Sequence, residues 1–573
     1  MPSENTNSSP MDEVTSSTNS TNSTPNALPH KFTYEMLLHP DFLLVEAQVI
    51  LSALSIIWIG AHASLRRPPS AAVTNVKKGK KQPKDDQFAE GFTASDAIML
   101  PIMAGAVLIG LYYLIEWLQD PDLLNKILRI YLSAMSIASL GRLSGDALEI
   151  LTSLVFPIMW ADRQGVVHHI DPESRSQFVL DPDTGVEQTV AEMRTPFPGF
   201  LSTASLSKTV TQTAWEVRHI LTEEWTLKFA VHGLIFLKFD LTLNNLVGFP
   251  IAILITMVYH LTGWHVLSNL LGSAFSYSAF SLMSPTSFGI GSSVLVGLFV
   301  YDIIMVFYTP YMITVAKKVD APIKLVFRSS GGVSMLGLGD IIIPGLLLAL
   351  ALRFDMYRFY QTKIKLEPIE LASEVASETP GETTKTTTTQ YRRVKAPYVD
   401  PRGQWGIRFW TTKFGSLRPV PAATSASAAT AFPKPYFYAA IFGYAGGMIL
   451  TLTVLIISNH GQPALLYLVP CVTGSVWVTA LLRGELKELW AYTEDGSLDT
   501  EDVVVQLDAN GNVVKETAPS TQKDAEKLKA GEKEGGADGC EAVAQKGGRV
   551  ESENYDVFLF SITAPRHRAP KQD

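Results

Sequence analysis

About nine apolar stretches, each long enough to cross a bilayer as a helix, leave this chain few ways to fold. They lie near residues 42–64, 96–118, 127–157, 243–262, 266–283, 289–315, 334–353, 437–458 and 462–483. Hydrocarbon offers no partner to a backbone N–H or C=O, so a spanning chain must be helical or a closed barrel. Runs of this length select the helix. The mean hydropathy of +0.15 averages these runs with segments rich in Ser, Thr, Lys and Glu. The expected fold is therefore an all-α polytopic membrane protein with about nine transmembrane helices.

The charges set an orientation. Arg66, Arg67, Lys77, Lys78, Lys80, Lys81 and Lys84 follow the first run, and a short basic loop stays in the cytoplasm. The N-terminus is then lumenal, and nine spans put the C-terminus in the cytoplasm. The loop 316–333 runs against the rule, with Lys317, Lys318, Lys324 and Arg328 on the lumenal side. The first loop usually dominates, so the orientation stands. Seven segments follow: a disordered lumenal tail over 1–41, a three-helix part over 42–158, and a cytoplasmic insertion over 159–242. A catalytic core over 243–355 and a flexible cytoplasmic loop over 356–435 come next, then a helix pair over 436–490 and a polar cytoplasmic tail over 491–573. Within the insertion, 226–240 reads as a surface or interfacial element, not a span, because Lys228, His232, Lys238 and Asp240 interrupt it. In the tail, a hairpin is expected around Asn510-Gly511. Glycosylation sequons stand at Asn7, Asn19 and Asn22. A Ser/Thr/Asn-rich tail also produces sequons by chance, and only a lumenal tail makes them usable. Cys471 lies in an apolar run and Cys540 in the polar tail, so no disulfide framework is expected. Metal-ligand spacing of Cys and His is absent, and no metal or cofactor is expected.

Two acids lie where acids are costly. Asp302 sits inside the sixth run and Asp340 inside the seventh, and neither neighbourhood holds a Lys, Arg or His. An intramembrane carboxyl is a functional-site hypothesis by default. Antiparallel neighbours joined by a short loop can bring the two face to face. Counted from the lumenal ends, Asp340 is about 10 Å deep and Asp302 about 20 Å deep at the helical rise. They meet if the sixth helix ends early, near Pro310, or the seventh starts early, near Phe327. Two close carboxyls in a low dielectric share one proton. The ionised one takes a proton from water and the protonated one polarises a carbonyl, without metal or covalent intermediate.

The surroundings suit a peptide. Gly337 and Gly339 flank Leu338 before Asp340, loosening the helix and admitting another backbone. Gln462-Pro463-Ala464-Leu465 opens the ninth run, and Pro463 leaves neighbouring backbone groups able to bond an extended chain. Taken alone, this tetrapeptide is an ordinary N-terminal proline of a helix. Tyr301 either orients the site or simply packs.

Tyr301-Asp302, Gly337-Leu338-Gly339-Asp340 and Gln462-Pro463-Ala464-Leu465, in that order, resemble the motifs of the GxGD intramembrane aspartyl proteases. The signal peptide peptidase branch is the most similar, through Asn269–Phe275, Ala321–Phe327 and Leu350–Asp355 as well. The resemblance covers most of 243–355 and 436–490. It implies nine spans, a lumenal N-terminus, Asp302 and Asp340 as catalytic acids, and Pro463 with its neighbours shaping the site. It also implies substrates that are type II transmembrane segments and remnant signal peptides in the endoplasmic reticulum membrane. Presenilin shares the motifs with the opposite orientation. Met305 stands where the family has an aromatic residue. The end, Arg568–Asp573, lacks a dilysine retrieval signal, which leaves a later secretory, endosomal or vacuolar membrane open. The partners read this way are those substrates and the lipid bilayer, with no nucleic acid. A homo-oligomer or a membrane-protein quality-control complex is compatible with the resemblance.

Other classes compete. Transporters also place acids at mid-membrane and break helices, but they carry inverted repeats, and none is found here. A non-proteolytic chaperone for loose membrane helices would use the same cavity. Asp146 and Glu149 are assigned to an interface or to pairing with Arg129 or Arg142, not to catalysis.

Overall fold

The computed structural model describes residues 40–72, 90–118, 121–162, 164–172, 174–180, 187–190, 193–231, 235–319, 323–329, 332–376, 383–412, 431–458, 462–499, 504–507, 513–517 and 558–564. Asn7, Asn19, Asn22, His232 and Asn510-Gly511 lie outside the described residues.

The helices are α1 (Pro40–Ala63), α2 (Asp96–Leu118), α3 (Pro121–Val155), α4 (Lys208–Thr222), α5 (Leu243–Thr262), α6 (His265–Leu282) and α7 (Phe288–Ile303). They continue as α8 (Tyr311–Lys318), α9 (Leu338–Gln361), α10 (Trp405–Thr411), α11 (Pro435–Ser458), α12 (Leu465–Arg483) and α13 (Leu486–Ala491). Among the described residues seven helices are long and apolar enough to cross a membrane: α1, α2, α3, α5, α7 with its extension to Tyr308, α11 and α12. The chain is a polytopic all-α membrane protein.

The other two expected spans are helices of a different kind. Ser268, Asn269, Ser273, Ser276, Ser278 and Ser281 dilute the apolar character of α6, and Asp340, Arg353, Asp355 and Arg358 charge α9. α6 buries one face, Leu271, Ala274, Tyr277 and Phe280 among it, and α9 lies inside the protein. Every residue of α9 from Leu346 to Met356 is buried, so its charges meet protein partners instead of lipid. By contrast, α2 buries only Gly105 and Ile115 and turns Ile98, Ile102, Met103 and Val107 outward, as a lipid-facing helix does. The core gathers around α9, with α1, α7, α11 and α12 packed on it.

Glycines set the closest approaches. An added Cβ at Gly248 on α5 would stand 2.5 Å from the Gly141 carbonyl oxygen on α3, so these helices touch by their backbones. On α11, Gly443 and Gly447 face Cys471, Ser475 and Leu468 of α12 in the same way.

Strands occupy the segments between helices. β1 (Glu90–Phe92) runs parallel to β8 (Met283–Pro285). In the insertion, β2 (Met159–Ala161), β3 (Val167–Asp171), β4 (Ser176–Leu180) and β5 (Glu187–Thr189) form an antiparallel sheet. Trp160, Ile170 and Trp215 make a small core beneath it. β6 (Glu224–Val231) pairs antiparallel with β7 (Ile235–Thr242), and β15 (Phe558–Thr563) adds a third strand. The strict alternation in β6, Trp225, Leu227 and Phe229 against Thr226 and Lys228, is a strand pattern. The loop expected to be flexible changes: α9 continues to Gln361, and β11 (Lys365–Ala376) pairs with β12 (Thr383–Val394). The run of threonines in β12 supplies the β-branched side chains that strands favour. β13 (Val504–Leu507) and β14 (Val513–Thr517) extend that sheet.

Candidate active site

Asp302 sits one residue before the end of α7. Beyond it the helix widens into a π-turn, Ile304–Tyr308, and breaks at Thr309-Pro310. A π-turn shifts the facing of the residues around it and is common at functional sites. The sixth helix ends early, near Pro310, as one of the two expected routes requires. The seventh begins later than expected, at Leu338. The apolar Val333–Leu336 belongs instead to β10 (Gly332–Gly337), the second strand of a hairpin with β9 (Lys324–Ser329). Strand β10 runs straight into α9, and Asp340 falls in the first turn of that helix. The unpaired N–H groups of a first helical turn face any carboxylate there.

The two carboxyls lie within electrostatic reach of each other. Asp302 is 3% exposed. Its Oδ2 accepts a hydrogen bond from the Leu465 backbone N–H at 3.2 Å. Leu465 is the first residue of α12, so one of the helix's free donors is used on the acid. The next two donors close short turns onto Pro463 and Ala464 carbonyls. Pro463, with no N–H of its own, is buried beside them. Gln462 holds the entry to the turn: its Nε2 donates to Ser458 Oγ at 2.9 Å and its Oε1 accepts from Tyr467 OH at 3.2 Å.

Tyr301 packs on α2, with its ring 3.7 Å from where a Gly105 Cβ would stand. Leu338 is buried over Gly272 and Leu325. A Cβ on Gly337 would lie 3.4 Å from Asp340 Oδ2, and one on Gly339 would meet nothing within 4 Å. Neither glycine has a positive φ among the described residues, so their contribution is space, not backbone freedom.

Two features of the site carry no sequence signal. Tyr444 of α11, fully buried, donates its hydroxyl to the Asp340 backbone carbonyl at 3.3 Å. It reads as one more aromatic in an apolar run. The Leu465 donor is a backbone group, which every residue but proline has. Asp146, assigned to an interface or to pairing with Arg129 or Arg142, accepts from Tyr277 OH at 2.5 Å and shares a cavity with Arg142. Among the described residues no group of His, Cys, Asp and Glu could hold a metal ion.

A pair of carboxyls, a hydrogen-bond donor fixing one of them, and open space over the other can activate water against a peptide carbonyl. The comparisons bear on the same region. The signal peptide peptidase family profile matches residues 84–496. Signal peptide peptidase of Mus musculus and that of Homo sapiens are each 26% identical over 465 residues, covering 80% of this chain and 85% of theirs. Intramembrane protease 2 of Caenorhabditis elegans is 32% identical over 263 residues, 44% of each chain. No solved structure matches the chain.

Proposed function

The chain belongs to the signal peptide peptidase family, and from that premise we propose that it hydrolyses peptide bonds inside the bilayer with Asp302 and Asp340 as the catalytic acids. The observation that carries this reading is their juxtaposition: two carboxyls within electrostatic reach on helices α7 and α9, which pack together, with the first N–H of α12 bonded to Asp302.

In the reaction one proton is shared by the pair. The ionised carboxylate takes a proton from water, and the water oxygen attacks the scissile carbonyl carbon. The protonated carboxyl gives its proton to the carbonyl oxygen, forming a gem-diol. Collapse of the diol breaks the C–N bond: one diol hydroxyl gives its proton back to the carboxylate that protonated the carbonyl, and the proton first taken from water passes to the leaving nitrogen. The Leu465 N–H fixes the Asp302 carboxyl, and Tyr444 holds the backbone at Asp340. The substrate must be extended to be cut. The hairpin β9–β10 has an outer edge that runs into Gly337 and Asp340, and an extended segment adds to such an edge by main-chain hydrogen bonds. Gly339 leaves room for it.

The substrates proposed are type II transmembrane segments, among them remnant signal peptides. The names of the mouse and human relatives support this, as does the basic loop after α1 that makes the N-terminus lumenal. The same argument proposes the endoplasmic reticulum membrane, glycosylation at Asn7, Asn19 and Asn22, and a substrate-binding role for the segment Gln462 to Leu465.

The test is cleavage of a type II signal-peptide substrate by the protein purified in mild detergent, with products read by mass spectrometry. Wild type is expected to cut within the apolar segment, and Asp302→Ala and Asp340→Ala to lose activity entirely. Equal cleavage by both variants would remove the aspartates from the site. Binding without cleavage by folded wild type would favour a chaperone.

A further inference from the structure

At the end of the bundle where α1 and α6 finish, the protein encloses two adjoining chambers away from the aspartate pair. The smaller, about 70 Å³, is lined by Arg66, Arg142, Arg353 and Arg402 together with Ser64 and Ser281. The larger, about 630 Å³, shares Ala63, Arg142 and Arg402 with it and continues past Trp58, Ile59 and Phe432.

No carboxylate lines the small chamber. Two carboxylates bind its arginines from outside: Glu494 pairs with Arg66 and Arg353, and Asp400 pairs with Arg402. Over the two chambers together, Arg66, Arg142, Arg353, Arg402, Arg408 and Lys434 face the carboxylates Asp146, Glu149, Asp400 and Glu494, a surplus of two positive charges. Arg142 forms no hydrogen bond or ion pair among the described residues. The Ser281 hydroxyl is buried there and has no hydrogen-bond partner among them either. Ser64 and Ser284 already accept from Arg353. A buried donor without a partner and a surplus of two charges are what a dianionic phosphate monoester would satisfy, with its charge near −2 and three acceptor oxygens.

The larger chamber has another chemistry. Asp146 and Glu149 line it, and both are acceptors suited to hydroxyl groups. It also reaches Trp58 and Ile59, which are 37% and 54% exposed on the outer face of α1. Tryptophan at such a position marks the membrane boundary. A ligand with its phosphate in the small chamber and its hydroxyls in the large one can leave by this face into lipid. Basic pockets between helices at a membrane surface are sites for phosphorylated headgroups.

We propose that the double chamber binds the headgroup of a phosphoinositide, its phosphomonoester among Arg142, Arg402 and Ser281 and its inositol hydroxyls against Asp146 and Glu149. The site is separate from the catalytic pair and does not depend on its assignment.

The test uses the full chain in nanodiscs containing phosphatidylinositol 4-phosphate or phosphatidylinositol, which differ only in the monoester. Retained lipid is counted by native mass spectrometry, and inorganic phosphate is titrated in a third arm. Wild type should prefer the phosphorylated lipid by about tenfold or more, as expected when a charge-assisted pair is gained. Arg142→Gln should erase the preference in a protein that still folds, since Arg142 forms no hydrogen bond or ion pair among the described residues. Should that variant not fold, Ser281→Ala carries the test and should weaken the preference about threefold, as loss of one hydrogen bond does. Equal retention of the two lipids, or an unaltered preference in the folded variant, would overturn the proposal. Binding of inorganic phosphate without retention of lipid would overturn the assignment to a lipid.

Discussion

Gly339 stands in the first turn of α9 between buried Leu338 and the acid Asp340, and a methyl group there would touch nothing within 4 Å. A structural role therefore predicts that Gly339→Ala is harmless to the fold, and the lost backbone freedom of the unfolded chain makes it slightly stabilising. A role in making room for substrate predicts that the same methyl obstructs catalysis. We expect an unchanged or slightly raised melting temperature with kcat/KM lowered about tenfold or more, because small misplacements at a reacting carbonyl are costly. Wild-type cleavage by Gly339→Ala would remove the space argument. The acids and glycines were legible in the sequence because a carboxyl in an apolar run is expensive and glycine beside it is conspicuous. Tyr444 and the Leu465 N–H were not. The first is an ordinary membrane aromatic, and the second has no letter in the sequence.

At the level of elements, α12 is useful to the site only if it stays against α11, and two glycines hold it there. A Cβ on Gly443 would come within 2.5 Å of Ser475 Oγ and 2.7 Å of the Cys471 carbonyl oxygen, while one on Gly446 would meet nothing within 4 Å. Gly443→Ala must push α12 outward, at a cost of about 1–3 kcal/mol for an overfilled contact. That shift carries the Leu465 N–H away from Asp302. The expected result is a lower melting temperature and loss of cleavage, with Gly446→Ala behaving as wild type in both. Parallel thermal melts and cleavage assays decide it, and equal behaviour of the two variants would sink the packing argument. Among elements, the outer helices were the easiest to read because lipid demands apolar side chains all round. The helices α6 and α9 were placed by the same signal, though serines and charges weaken it, since protein covers one face of α6 and nearly all of α9. The hairpin β9–β10 was hidden because its apolar Val333–Leu336 continues without a break into the helix, and apolarity alone does not distinguish strand from helix.

Over the whole molecule, ion pairs tie one end of the bundle together across long stretches of chain. Glu494, after the last spanning helix, binds Arg66 and Arg353, and Asp499 binds Arg67 and Lys395. Glu485 accepts from Tyr436 OH at 2.7 Å, from Arg358 at 2.9 Å and from Arg483 at 3.1 Å, joining the ends of α9, α11 and α12. These partners are more than a hundred residues apart for Arg358, so nothing local announces them; only the apolar runs that bring the helix ends together were visible. Burial alone would raise the Glu485 pKa, yet the hydrogen bonds from Arg483, Tyr436 and Arg358 hold it down from 4.5 to about 2. A carboxylate whose folded pKa lies below its unfolded value stabilises the fold above the unfolded pKa. The contribution is lost as pH falls through the window between them. Wild type should therefore melt higher than Glu485→Gln at pH 7, by an amount matching about 1–3 kcal/mol for a hydrogen-bonded charge. The gap should close as pH falls from about 4.5 toward 2, because the wild-type carboxyl then becomes neutral as well. Melting temperatures of the two proteins in the same detergent across this range test it. A gap independent of pH would mean that the glutamate acts by shape, and that the helix ends are held by packing instead of charge.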